Sequence, residues 1–318
     1  MSVIRMKTLF VLGLAALAWF PVSAQVNVDL TLEQEQFLPS EAVPLAVKIT
    51  NRSGQQLHLG ADADWLTFNV EADDSYVVIK NAEVPVTGAF ELETGQLGIK
   101  RVDLQPYFTI TKPGRYHVTA TLHIKDWSVQ LTSAPKHFDV VQGAKLWAQD
   151  VGVRNGTNAA PEVRKYTLEQ ANYLKNQLRL YVQLSDASEA LVYKVAVLGP
   201  MVSFSHPEAQ VDRQSRLNVL WQTGAQSFTF VVVNPDGSVS PAAYYDNFFS
   251  RPRLTVNEDG DVLVLGGTRR GKPADVPAVK APNELPQLMK PGALPAADNA
   301  AAAGTPPEPK STQPATRK

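Results

Sequence analysis

Pro207-Glu-Ala-Gln-Val-Asp212, followed by Leu217, Val219, Leu220 and Trp221, is written again as Pro252-Arg-Leu-Thr-Val-Asn257, followed by Val262, Val264, Leu265 and Gly266. The matched positions keep one spacing of 45 residues: 207 and 252, 211 and 256, 212 and 257, 217 and 262, 219 and 264. Each copy alternates apolar and polar residues on both sides of a polar turn, the pattern of two half-buried strands. A repeat of this length built from strands is one supersecondary unit that buries its apolar face against a neighbour.

Working outward, Ser227 to Val233 is an apolar strand, and Asn234-Pro-Asp-Gly237 is a strong turn that Asn257-Glu-Asp-Gly260 repeats. Leu178, Leu180, Val182 and Leu184 alternate plainly, and Ala190 to Leu198 reads as the next strand. Thr167 to Asn176 is ambiguous: Thr167 and Gln170 fit a capping box before a short helix, while Tyr166-Thr-Leu and Tyr173-Leu-Lys fit short strands. Val153 to Ala160, rich in Asn, Gly and Ala, reads as a loop. Tyr244, Tyr245, Phe248 and Phe249 cluster between two turns and are the candidate ligand or interface aromatics; the alternative is a hydrophobic plug between neighbouring units.

Residues 142–268 therefore form a β-meander whose repeat resembles blades of secreted β-propeller proteins, notably those with Asp-boxes. The Asp-box motif itself is absent, so a sialidase-like activity does not follow. The segment has room for about two and a half blades, and a closed propeller needs at least four. The expected solution is an open meander covered by the rest of the chain, with self-association through open blade edges as the other outcome.

Residues 25–141 read as a β-sandwich. Val26, Val28 and Leu30, then Leu45, Val47 and Ile49, then Leu66, Phe68 and Val70 each share a face. Asn51-Arg-Ser-Gly54, Asp73-Asp74-Ser75 and Pro113-Gly114 are the breaks between strands. After Pro113-Gly114-Arg115, the run from Tyr116 to Ile124 puts Val118, Ala120, Leu122 and Ile124 on one face and His117 and His123 on the other. This Pro-Gly turn into a Tyr-x-Val-x-Ala strand resembles the late strands of bacterial immunoglobulin-like modules. Together with Pro39-Ser-Glu41 and the strand up to Asn51, it is similar to the small intracellular proteinase inhibitor family of bacilli. That resemblance implies an immunoglobulin-like sandwich and, as one alternative, inhibition of proteases through the sandwich loops.

His117 and His123 are six residues apart on one strand, roughly 20 Å, too far to share an ion, so no metal site is expected from that pair. Asp62 and Asp64 lack the further oxygen ligands of a calcium loop. Arg5 and Lys7, the apolar run Thr8 to Phe20 and the small-residue site Val22-Ser-Ala24 have the layout of a secretory signal peptide over residues 1–24. No later run is long and apolar enough to span a bilayer, so no transmembrane segment is expected after cleavage. There is no cysteine, which excludes disulfides, thiolate metal sites and a catalytic thiol. An exported, disulfide-free chain suits a bacterial periplasm or exterior. Asn51-Arg-Ser and Asn155-Gly-Thr match the glycosylation sequon, which matters only in a eukaryote.

The formal charge of −1 hides an asymmetry. Residues 269–318 hold eight Lys/Arg and four Asp/Glu, a net of +4; the signal adds +2, so residues 25–268 stand at −7. An acidic body without a basic stripe argues against nucleic acid as partner. Residues 269–318 also hold ten Pro, eleven Ala and no aromatic residue, the composition of a disordered tail.

No nucleophile elbow, phosphate loop, dinucleotide fingerprint or His-Glu-x-x-His motif occurs, so no cofactor and no catalytic residue is expected. His206 has hydroxyls nearby but no orienting carboxylate at a recognised spacing. The expectation is an all-β, secreted or periplasmic, non-enzymatic binding or scaffold protein, with a protein or an envelope polysaccharide as partner. The alternatives are the protease inhibitor and a carbohydrate-active enzyme built on the blade-like segment.

Overall fold

The computed structural model describes residues 26–74, 76–153 and 162–271. The expected signal peptide at 1–24, the loop at 154–160 with its sequon Asn155, and the tail from 272 onward lie outside the described residues. The described chain is almost entirely β, and none of its helices is long and apolar enough to cross a membrane.

The first part contains β1 (Val26–Leu32), β2 (Gln36–Phe37), β3 (Pro44–Asn51), β4 (Leu57–Leu59), β5 (Leu66–Ala72), β6 (Phe90–Leu92), β7 (Leu97–Asp103), β8 (Gly114–Ile124), β9 (Val129–Thr132) and β10 (Lys136–Val140). One sheet runs β1-β3-β7; the facing sheet runs β2-β10-β8-β5, with β9 also on β8. Strand alternation builds the core between them. Leu45, Val47 and Ile49 from β3 meet Val118, Ala120 and Leu122 from β8, all buried. Each fully buried aliphatic side chain of this kind contributes about 1.5–3 kcal/mol. The Tyr116 hydroxyl donates to Lys112 O at 2.7 Å, four residues upstream. That bond ties the start of β8 to the turn before it. Asn51, a sequon residue, is fully buried, its amide donating to Gln55 O and Leu92 O and accepting from Ser53, so it is closed to modification.

The second part contains β11 (Ala144–Val153), β12 (Glu162–Leu174), β13 (Gln177–Asp186), β14 (Val192–Pro200), β15 (Glu208–Val211), β16 (Leu217–Gln222), β17 (Ser227–Val233), β18 (Ala243–Asp246), β19 (Arg253–Val256), β20 (Val262–Leu265) and β21 (Thr268–Arg269). A four-stranded antiparallel meander, β11-β12-β13-β14, is followed by a five-stranded antiparallel sheet, β15-β16-β17-β18-β21, and the β19-β20 hairpin lies between β18 and β21 in the chain.

The repeat is structural. Val211 pairs with Leu217, Ala209 with Val219 and Glu208 with Leu220; 45 residues later Val256 pairs with Val262, Leu254 with Val264 and Arg253 with Leu265. The turns match as well. Ser215 and Gly260 both take the left-handed conformation, and their amides donate to Asp212 O and Asn257 O, each at 3.0 Å. The two hairpins lie side by side, with the Leu254 amide donating to Glu208 Oε2 at 2.8 Å. In the related turn at 234–238 only Gly237 has positive φ, so it is a type I turn closed by a left-handed glycine rather than the doubly left-handed type I′ form.

Two sequence expectations need correction, and one open alternative is decided. Of the helix and the strands that Thr167 to Asn176 allowed, the strand is formed: Thr167 to Leu174 lie in the 13-residue strand β12, where β11 and β13 offer ladder partners on both sides, and Lys175-Asn176 turn into β13. β11 reaches Val153, into the expected loop, and its half-exposed residues show little alternation. The expected tail starts too early, since Arg269 pairs with Tyr245 and Arg270 is held by Asp246.

The first sheet of the meander is covered on both faces. Tyr166, Leu168, Leu180, Val182 and Leu184 point at Leu217, Val219, Trp221, Val231 and Val233 of the second sheet. The opposite face of the same strands offers Ala171, Tyr181 and Val195 to Leu38 and Val141 at the end of the sandwich. The sandwich and the meander thus belong to one compact unit.

Candidate functional site

That same opposite face carries Thr167, Glu169 and Gln183, and next to the sandwich contact it borders a cleft of about 630 Å³. Pro39, Ser40, Asn81, Gln105 and Thr109 line it from the sandwich; Lys145, Glu169, Gln183 and Glu189 line it from the meander. The sandwich wall presents amides and hydroxyls interspersed with Pro106, Phe108 and Ile110, and the meander wall presents charged groups and Gln183 beside Leu191 and Val192.

Glu169 is central. It is 6% exposed, and burial raises its carboxyl pKa, with the neighbouring Glu189 charge adding and Lys145 opposing. Its space exists because residue 143 is glycine. A Cβ at Gly143 would meet Glu169 Oε2 at 2.5 Å and Leu38 Cδ2 at 3.1 Å. The Gln142-Gly143 segment, legible in the sequence only as a boundary, is therefore part of the cleft.

Glu189 behaves in the opposite way. It sits in the β13–β14 turn and accepts from Lys145 Nζ at 2.9 Å and Lys165 Nζ at 3.1 Å. Those two ammonium groups lower its pKa, Lys145 first. Ser40 and Glu189, on opposite walls, are both non-glycine residues with positive φ, at 63° and 61°. Such conformations cost about 1–3 kcal/mol each and persist where surrounding contacts over-determine them.

The walls are joined beside the cleft. Arg179 Nη1 donates to Gln34 Oε1, Gln34 Nε2 donates to Glu41 Oε1 at 2.8 Å, and Glu41 Oε2 accepts from the Leu38 amide at 2.7 Å. Burial raises the Glu41 pKa, opposed by these hydrogen bonds and by Arg179. The Glu35 amide adds a backbone bond to Tyr173 O at 3.0 Å.

The aromatic candidates lie elsewhere. Tyr244 and Tyr245 are on β18, and Tyr245 pairs with Phe228 and Arg269. Phe248 and Phe249 follow in a loop, 63% and 96% exposed, and so plug no gap among the described residues. His206 is exposed in the loop before β15, away from the cleft lining. Glu169 and Glu189 were not distinguishable in the sequence from the other carboxylates of an acidic chain; the single available signal was Gln142-Gly143, a small residue at a junction.

No family model matches the chain, and no curated protein matches it. Among solved structures, a search finds Spo0M, the sporulation control protein from Bacillus subtilis, at 11% identity and a TM-score of 0.28, covering 55% of this chain and 89% of that one. A likeness at that score carries no argument.

Proposed function

We propose that this chain is an exported, non-enzymatic binding or scaffold protein of the bacterial envelope, and that its ligand seats in the cleft between sandwich and meander. The observation that carries this reading is a two-walled polar cleft whose walls are tied by the Arg179–Gln34–Glu41 bonds. A cleft held in shape before binding loses little ordering entropy when occupied. Its amides and hydroxyls, with Glu169 as a buried carboxyl, suit a polar polymer rich in hydroxyl and amide groups. An envelope polysaccharide has that chemistry, and the basic start followed by Val22-Ser-Ala24 supports delivery to the envelope. Co-sedimentation of the mature chain with purified cell-wall polysaccharide tests the reading. Retention should fall at least tenfold when Gln105 and Gln183 are both replaced by Ala, with an unchanged melting temperature. Equal retention of the double variant would overturn the cleft as the site.

A second reading has one observation in its favour. Glu169 and Glu189 share one cleft while their pKa values move apart, the arrangement from which acid–base pairs in carbohydrate-active enzymes are built. The two lysines on Glu189 oppose it, because they occupy the carboxylate a substrate would need. Release of reducing ends by the wild type and none by Glu169→Gln would establish the enzyme; no release by either leaves the binding protein.

A further inference from the structure

Strand register sets imidazoles and carboxylates side by side on the outer face of the sandwich. His117 on β8 is the cross-strand partner of His137 on β10 and of Glu71 on β5. Their neighbours Val70, Tyr116, Val118 and Phe138 are buried, so alternation turns all three outward. Asp73 lies two residues beyond Glu71, and its amide donates to Arg115 O at 2.8 Å. Its Oδ1 is 2.8 Å from His117 Nδ1 and its Oδ2 is 3.9 Å from His137 Nδ1. The two rings are 5.5 Å apart between centroids, and one donor atom from each of Asp73, His117 and His137 lies within 4.8 Å of the others.

We propose that Asp73, His117 and His137 bind a divalent transition-metal ion of the zinc type, with a fourth position open to water. Two imidazole nitrogens and one carboxylate oxygen are a donor set that zinc accepts, whereas calcium and magnesium take mostly oxygen. Tetrahedral ligands at about 2.0–2.2 Å from an ion stand roughly 3.3 Å apart. Bringing the three donors to that spacing needs rotation of outward-facing side chains and no movement of the strands.

The neighbours suit the role. Glu71 Oε2 lies 3.5 Å from His117 Nε2, and Glu71 Oε1 accepts from Asn69 Nδ2 at 2.7 Å. A proton on Nε2 facing Glu71 leaves the Nδ1 lone pair for the ion, the usual way a carboxylate orients a ligating histidine. Among the described residues, the guanidinium of Arg115 faces Asp73, with Nε at 3.9 Å from Oδ2. It lies equally far from Asp139, its cross-strand partner, which gives it another carboxylate when Asp73 turns to the ion.

Calorimetric titration of tag-free mature chain with zinc chloride is the test. One equivalent should bind, and Asp73→Asn and His137→Ala should each weaken binding about tenfold or more. His123→Ala is the control, being six residues along β8 from His117, and should leave the affinity unchanged. Magnesium chloride should give no binding. Cobalt(II) absorption, showing tetrahedral bands in the wild type and none in Asp73→Asn, reads the same site by another route, and far-UV circular dichroism confirms that the variants fold. Absence of zinc binding at millimolar concentration would overturn the proposal. So would equal loss in His123→Ala, or unchanged affinity in both Asp73→Asn and His137→Ala, since either result describes scattered surface histidines.

Discussion

Arg179 donates through Nη1 to Gln34 Oε1 at 2.7 Å, joining β13 to the segment after β1 across 145 residues of chain. Its guanidinium also lies 3.5 Å over the Tyr173 ring. The bond matters because Gln34 in turn holds Glu41, a carboxyl buried between the two parts.

Replacing Arg179 with Ala should cost about 1–3 kcal/mol in urea unfolding, because Gln34 keeps its burial and loses its partner. Arg179→Lys should recover little, since an ammonium has neither the planar fork nor the same stacking on Tyr173. A single transition with unchanged midpoint in both variants would show that the clamp is not coupled to stability.

Glu169→Gln tests the buried carboxyl through pH. Burial raises the folded-state pKa above the ordinary 4.5, so the native state binds the proton more tightly than the unfolded chain. Stability from this group is fully present below the unfolded value and is lost as pH rises through the folded value. The Gln variant should therefore melt higher than wild type at pH 7, and the difference should shrink as pH falls toward 4.5. A difference independent of pH would mean that Glu169 titrates normally.

Val219 and Val264 hold the same place in two hairpins but not the same burial. Val219 is fully buried between the meander sheets, while Val264 is half-buried. Val219→Ala should cost about 1–3 kcal/mol and Val264→Ala clearly less, both read from urea midpoints at constant slope. Equal costs would show that the second hairpin is better covered than its exposure indicates.

Truncation locates the end of the fold. A chain ending at Gly271 should melt as the full mature chain does, because the residues beyond it are rich in Pro and Ala and hold no aromatic side chain, a composition that repays little ordering. Ending at Gly267 removes β21 and the Arg270 bonds to Asp246 and Ser227, and the melting temperature should drop by several degrees. Equal melting of the two truncations would make β21 dispensable.

Export is checked by intact mass. Protein recovered from the envelope should begin at Gln25, one residue after the Val22-Ser-Ala24 site. A chain retaining Met1 would remove the localisation on which the envelope reading depends.

The elements that local alternation specifies were legible: β3, β8, β13, β16 and β17 each bury every second residue on at least one face, and periodicity reads that directly. β11 was not, because several of its residues are exposed or half-buried on both sides and leave no alternating signature. β12 was ambiguous because Thr167 and Gln170 satisfy a local helix signal that loses to ladder bonds with two flanking strands. Of the site residues, His117 was noticed but weighed against His123 along its own strand, when its neighbour is His137 across the sheet.

By itself the sequence determined the all-β class and the 45-residue repeat, since these rest on side-chain period, turn chemistry and spacing along the chain. Only the tertiary structure decided which residues meet. The Gly143–Glu169 approach, the Arg179–Gln34 bond and the Asp73–His117–His137 group depend on strand register and sheet packing. Register is set by which faces bury against which, a balance over the whole core that no local stretch encodes.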